Sequence, residues 1–173
     1  QDSFVCGNTK NGDIFIAVID GAGGSGGGLE ASIKSNSDLA NNLVQGLSPL
    51  EGLRSASGLL IDINEQKKRR AFASGRSFDF SHEGIYATAV AAKIEKSGRV
   101  LLAASGDSKI ATIRNGAILR EGTTCMQNTP SKLIEYSLLN PREYYQHPLK
   151  SNITGGLGIK DAEEPLGKEF WGQ

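Results

Sequence analysis

An α+β fold built on antiparallel strands is what this sequence of 173 residues predicts, on three observations. Asn11-Gly12, a two-residue hairpin signal, joins the first two apolar runs. Apolar residues then recur at helical spacing through residues 29–64. Beyond them, strand-like runs follow one another from Ala87 to Leu119, joined by turns too short to hold crossover helices.

Each element has its own signal. Residues 1–7 alternate, Phe4 and Cys6 against Ser3 and Val5, as a short strand does. This strand should pair antiparallel with residues 13–20, the run Ile14-Phe15-Ile16-Ala17-Val18-Ile19 that closes on Asp20. A continuous β-branched and aromatic run suits a strand covered on both faces. Ile33, Leu39, Leu43, Val44 and Leu47 mark a helix from Leu29 to about Gly46, ended by glycine and Pro49. Residues 50–64, with Leu53, Leu59, Leu60, Ile61 and Ile63, read as a second helix or as a helix followed by a strand. The basic run Gln66-Lys67-Lys68-Arg69-Arg70 is a solvated helix end or loop, or else a patch that attracts phosphate. Residues 76–83 should loop, anchored by Phe78 and Phe80.

Residues 87–94 and 100–105 flank a glycine-containing turn, and Gly106-Asp107-Ser108 makes another. Residues 110–114 and 117–119 turn about Asn115-Gly116, so four strands of one meander are expected. A short amphipathic helix follows over residues 130–139, with Thr129 or Ser131 as its cap. Tyr144, Tyr145 and His147 lie on a loop between Pro141 and Pro148, and residues 153–158 form a glycine-containing turn. The acidic end, with Asp161, Glu163, Glu164 and Glu169, has no clear period and closes on Phe170-Trp171.

Lys plus Arg equals Asp plus Glu at 19 each, so no overall field marks a nucleic-acid or membrane partner. No apolar run approaches the roughly 18 residues that a transmembrane helix needs. Cys6 and Cys125 lack the spacing of a zinc site or a disulfide framework and read as small core residues, which points to a reduced, cytoplasmic setting. No signal-peptide pattern opens the chain, and a start at Gln1 without Met reads as a fragment or trimmed chain. Without internal repeat or linker, residues 1–173 read as a single domain.

The chemistry gathers around Asp20, because six of the eight residues after it are glycine. Glycine lets the backbone take positive φ and approach a bound group closely. Gly21, Gly23 and Gly26 satisfy the dinucleotide spacing G-x-G-x-x-G, which would seat a pyrophosphate at a helix N-terminus. Alternatively Asp20 holds a hard divalent cation, with the Gly21 carbonyl as a second oxygen ligand, as Mg²⁺ and Mn²⁺ favour. A carboxylate directly before the first glycine would face the phosphates, and a hairpin with a meander is not a parallel βαβ unit, so the cation reading is the stronger.

Taken in order, Gln1-Asp2-Ser3, Val18-Ile19-Asp20-Gly21-Ala22-Gly23-Gly24, Ala87-Thr88-Ala89-Val90, Gly106-Asp107-Ser108 with Ile113-Arg114-Asn115-Gly116, and His147-Pro148-Leu149 through Leu157-Gly158 form a constellation. It resembles the motifs of the metal-dependent protein serine/threonine phosphatases of the PPM (PP2C) family. The resemblance implies a four-layer α-β-β-α sandwich, two antiparallel sheets flanked by helices, with Mn²⁺ or Mg²⁺ between the sheets. Two ions are implied, and a third in some members. It further implies that Asp20 bridges the two metals, Gly21 offers its backbone carbonyl, Asp2 holds a metal-bound water and Asp107 helps bind a third ion. Metal-bound hydroxide would then attack phosphoserine or phosphothreonine in a protein substrate in line, with no covalent phospho-enzyme. A phosphoprotein is the implied partner, while neutral charge assigns no oligomeric state.

The sequence departs from the family pattern in several places. The two downstream metal aspartates, in a D-G and a D-N pair, are not reached, and Asp161 is not followed by glycine. The arginine that binds phosphate would fall before Gln1, and Ala22 stands where many members carry a histidine. Tyr86 and Ala87 replace the first two residues of the family's G-T-T segment. The chain is therefore expected to be a single PPM-type domain lacking its C-terminal metal-binding segment. The alternative is a catalytically weakened or inactive PP2C-like module that binds a phosphoprotein or another partner. His82 and His147 are lone histidines and read as surface or packing residues.

Overall fold

Asn11-Gly12 turns the chain as expected, but within a three-residue loop, Lys10-Asn11-Gly12, closed by the Thr9 N–H on the Asp13 carbonyl at 2.8 Å, rather than a two-residue one. Gly12 takes φ 82°, and its N–H donates to the Thr9 carbonyl at 2.8 Å. Around this turn β1 (Asp2–Asn8) and β2 (Ile14–Ala22) pair antiparallel, with Asp2 opposite Asp20 and Asn8 opposite Ile14. The computed structural model of the chain describes residues 1–22, 27–123, 127, 146, 148, 155–160 and 165–171.

Two long helices follow, α1 (Gly27–Val44) and α2 (Pro49–Ala73). Ser48 starts α2 with a reciprocal cap: the Ser48 N–H donates to the Glu51 carboxylate at 2.9 Å, and the Glu51 N–H to Ser48 Oγ at 3.3 Å. Of the two readings of residues 50–64, one uninterrupted helix is the observed one, and it carries the basic run in its last turns. Glu, Gln, Lys and Arg are strong helix formers, so the run extends α2 rather than breaking it. Asp79 caps a single turn, α3 (Phe80–Glu83), where a loop was expected. Phe78 and Phe80 do anchor this segment, edge to face with centroids 6.4 Å apart, and Phe80 stacks on Tyr86 at 6.1 Å.

The remaining strands are β3 (Tyr86–Ile94), β4 (Arg99–Ser105), β5 (Ala111–Arg114), β6 (Ala117–Thr123) and β7 (Leu166–Trp171). One sheet has the order β1-β2-β3-β4-β7, and β5 pairs with β6 in a second. Among the described residues every strand pair is antiparallel, which removes the dinucleotide reading, since that fold needs a parallel sheet. The expected single meander is instead two hairpins in two sheets. Gly106, at φ 87°, turns the chain off the end of β4, and its N–H and carbonyl are both held by Gln127, at 2.6 and 2.8 Å. The place beside β4 goes to β7, a strand that the polar Gly167-Lys168-Glu169 conceals from any periodicity.

Period-two alternation gives the large sheet two unlike faces. Phe15, Ala17 and Ile19 of β2, with Ala87, Ala89 and Ala91 of β3, are buried under Leu39 and Leu43 of α1 and Leu53 and Leu60 of α2. On the other face, Ile110, just before β5, and Leu119 of β6 pack against buried Ala92 and Leu102. That cover stops short of the hairpin, where Ile14, Ile16 and Val18 remain 44–55% exposed. The expectation that β2 is covered on both faces therefore holds, among the described residues, for its helix side alone. Cys6 lies on the uncovered side and is exposed, so it is not the core residue its size suggested.

A buried amide ties these layers together. Asn64 Nδ2 donates to the carbonyls of Ile85 at 2.8 Å and Gly158 at 3.1 Å, and Asn64 Oδ1 accepts the Ile85 N–H at 2.8 Å. Asn64→Ala would leave these three backbone groups without partners and is expected to destabilise the fold by about 3 kcal/mol, measured by urea unfolding. A loss below about 1 kcal/mol would show that water replaces the clasp.

The segment Gly23-Gly24-Ser25-Gly26, Cys125, the helix expected over residues 130–139 with its caps Thr129 and Ser131, Tyr144, Tyr145, His147, Ile153, Thr154, Asp161, Glu163 and Glu164 lie outside the described residues. No described helix is long and apolar enough to cross a membrane.

Candidate metal centre

The strand register assembles the site. Asp2 on β1 stands opposite Asp20 on β2, and Asp20 stands opposite Thr88 on β3, so the three form one row across the sheet. Alternation puts them on the same face as Ile16 and Val18, the face on which the second sheet packs further along. The turn after β4 completes the row. Ser108 Oγ lies 2.6 Å from Thr88 Oγ1, and this hydroxyl pair holds the Gly106-Asp107-Ser108 turn against β3. A side chain at Gly106 would collide with that of Thr88, so the close approach requires glycine.

Three carboxylates thus share a small region. Asp20 is solvent-exposed, but partial desolvation raises its carboxyl above its usual range, and a hydrogen bond with Asp2 adds to this, as do the charges of Asp2 and Asp107. The Gln1 terminal ammonium, 3.8 Å from Asp2 Oδ1, offsets part of that effect. Burial likewise raises Asp107. Negative charge held together in this way resists ionisation until a cation joins it.

Beside Asp20, two backbones cross with almost no gap. A Cβ on Gly21 would collide with the Gly28 backbone, and one on Gly28 with the Gly21 carbonyl. Neither residue has positive φ, so here glycine serves approach rather than conformation. The crossing fixes the first turn of α1 against the end of β2.

The donors suit a hard divalent ion in kind: carboxylates at Asp20, Asp2 and Asp107, a backbone carbonyl at Gly21, and no thiolate or imidazole. Their mutual repulsion is the further sign of fit. Among the described residues, no three His, Cys, Asp or Glu side chains form a closed ligand cluster. His82 sits away from the row on α3, 3.9 Å from Asp79, in keeping with a surface role. The sequence reading passed over Thr88 and Ser108 as site residues, though Thr88 is the one polar residue among the alanines opposite the Asp20 end of β2.

Solved structures share this fold. A Streptococcus agalactiae (S. agalactiae) serine/threonine phosphatase superposes with a TM-score of 0.71 at 26% identity, over 99% of this chain and 68% of that one. This chain matches the PPM phosphatases. The PPM fold recurs in the Mycobacterium tuberculosis serine/threonine phosphatase PstP/Ppp, with a TM-score of 0.71 and 20% identity over 100% of this chain and 74% of that one. It recurs again in a stage II sporulation E family protein from Thermanaerovibrio acidaminovorans, at 0.72 and 23% over 96% and 72%. The chain therefore spans about two-thirds to three-quarters of these PPM structures. A scan against protein-family models and a search of curated proteins find no match.

Proposed function

We propose that this chain is a protein serine/threonine phosphatase that hydrolyses phosphoserine and phosphothreonine in protein substrates with Mn²⁺ or Mg²⁺. The observation that carries the reading is the row Asp2, Asp20 and Thr88, with Asp107 beside it, in a fold shared with named serine/threonine phosphatases. Asp20, central in the row, would hold two ions, with the Gly21 carbonyl as a further donor and Asp107 serving a third. When bound, such ions lower the pKa of water and neutralise phosphoryl oxygens. Asp2, hydrogen-bonded to Asp20, would accept a hydrogen bond from the attacking water and so orient it. The Thr88–Ser108 pair keeps Asp107 in reach.

Metal removal is the direct test. The full chain with Mn²⁺ should hydrolyse para-nitrophenyl phosphate and a phosphothreonine peptide. EDTA should take the rate to the blank, and added Mn²⁺ should restore it. Hydrolysis indifferent to the chelator would sink the mechanism. A binding module without turnover is the second reading, favoured by Ala22 in the histidine position and by the unclosed ligand cluster. Tight phosphopeptide binding without hydrolysis at any Mn²⁺ concentration would establish it instead.

A further inference from the structure

The basic run on α2 belongs to a groove that the site itself does not use. Lys67, Arg70, Ser74, Arg76, Phe78 and Glu83 line a groove of about 430 Å³ where α2 ends and the chain turns back toward α3. The groove borders the Asp20 end of the sheet from two directions. Lys67 Nζ lies 2.7 Å from Glu30 in the first turn of α1, just after the Gly28 that crosses Gly21. Glu83 leads through Gly84 and Ile85 to Tyr86, which stands opposite Ala22 on β2.

We propose that this groove reads acidic residues flanking the phosphorylated residue of a protein substrate, a reading that rests on the phosphatase function above. Residues 67–76 carry Lys67, Lys68, Arg69, Arg70 and Arg76, in a chain whose overall charge is zero. Glu30 engages Lys67, and Glu83 lies 3.7 Å from Arg76. Arg70 makes no ion pair among the described residues and faces the groove. A guanidinium fork matches a carboxylate in two parallel hydrogen bonds. Phe78 gives the groove an apolar wall, against which the methylenes of a glutamate can lie. The volume suits one or two side chains, and the carboxylates at its rims oppose a continuous nucleic-acid backbone.

The test compares three substrates on the full chain with Mn²⁺: a phosphothreonine peptide flanked on both sides by Glu, its Gln counterpart, and para-nitrophenyl phosphate. The Glu peptide should exceed the Gln peptide in kcat/KM by about tenfold, the scale of a few partly exposed charge pairs acting together. Joint Arg70→Ala and Arg76→Ala replacement should bring the two peptides level and leave hydrolysis of the aryl phosphate unchanged. Equal rates for the peptides on the unmodified chain would overturn the proposal, as would a preference that survives the double replacement. Should the chain fail to hydrolyse the aryl phosphate, the phosphatase reading falls, and fluorescence anisotropy of the same peptides still decides the groove. Tighter binding of the Glu peptide, lost in the double variant, supports it. Equal binding, or a loss confined to a single-stranded oligonucleotide, overturns it.

Discussion

Replacing Asp20 with Asn is expected to lower kcat/KM on a small aryl phosphate by about a thousandfold or more, while the thermal midpoint of the metal-free chain stays level or rises. The two effects share one cause. Asp20 is held above its usual carboxylate range by partial desolvation, by its hydrogen bond with Asp2, and by the charges of Asp2 and Asp107. A carboxyl whose pKa is raised on folding costs stability once it is ionised, and that cost is complete above the folded-state pKa. At neutral pH an amide removes the charge and with it the repulsion, so the fold should not suffer. The same amide is a poor bridging ligand, and the capacity to neutralise a phosphoryl group goes with it. Thermal melting in EDTA beside steady-state kinetics in Mn²⁺ reads both. A drop in midpoint would assign Asp20 a structural role, and retained activity would take it out of the mechanism. Conversely, ordinary loss of function through unfolding lowers the two readouts together.

Much of this site was legible before the fold. The turn at Asn11-Gly12 was legible but the exact register was not: a two-residue loop there would put Asp2 opposite Gly21, whereas the observed three-residue loop Lys10-Asn11-Gly12, closed by the Thr9 N–H on the Asp13 carbonyl, puts Asp2 opposite Asp20. The strand that carries Asp20 (which runs two residues past it to Ala22), the helix over α1 and the pair β3–β4 rest on local signals that tertiary packing does not override. What escaped was non-local. Nothing in residues 99–119 states that β4 and β5 part company at Gly106, because a positive-φ glycine serves a hairpin and a sheet change equally well. β7 draws its strand character from the open edge of β4 rather than from its own side chains. Cys6 and Val18 are apolar residues on a face that the second sheet does not reach, so composition alone assigned them to a core. Thr88 and Ser108 were quoted within motifs, but their pairing at 2.6 Å depends on how two strands and a turn meet.

The largest structural effect is expected at a residue with no side chain. Gly21→Ala should destabilise the chain by about 3–5 kcal/mol, because its Cβ meets backbone at Gly28 and not the movable end of a side chain. Gly28→Ala meets the Gly21 carbonyl in the same crossing and should behave alike. Gly58 supplies the opposite sign: it lies within α2 with nothing inside 4 Å of a Cβ, so Gly58→Ala should stabilise by about 0.5–1 kcal/mol. Urea unfolding of the three variants separates approach from conformational freedom, since only approach makes alanine costly at positions 21 and 28. A cost below about 1 kcal/mol at Gly21 would mean that β2 and α1 can move apart without penalty. Asp20, one residue away, would then have no rigid frame, and the placement of its carboxylate in the row with Asp2 and Thr88 would have to come from the cation rather than from the chain.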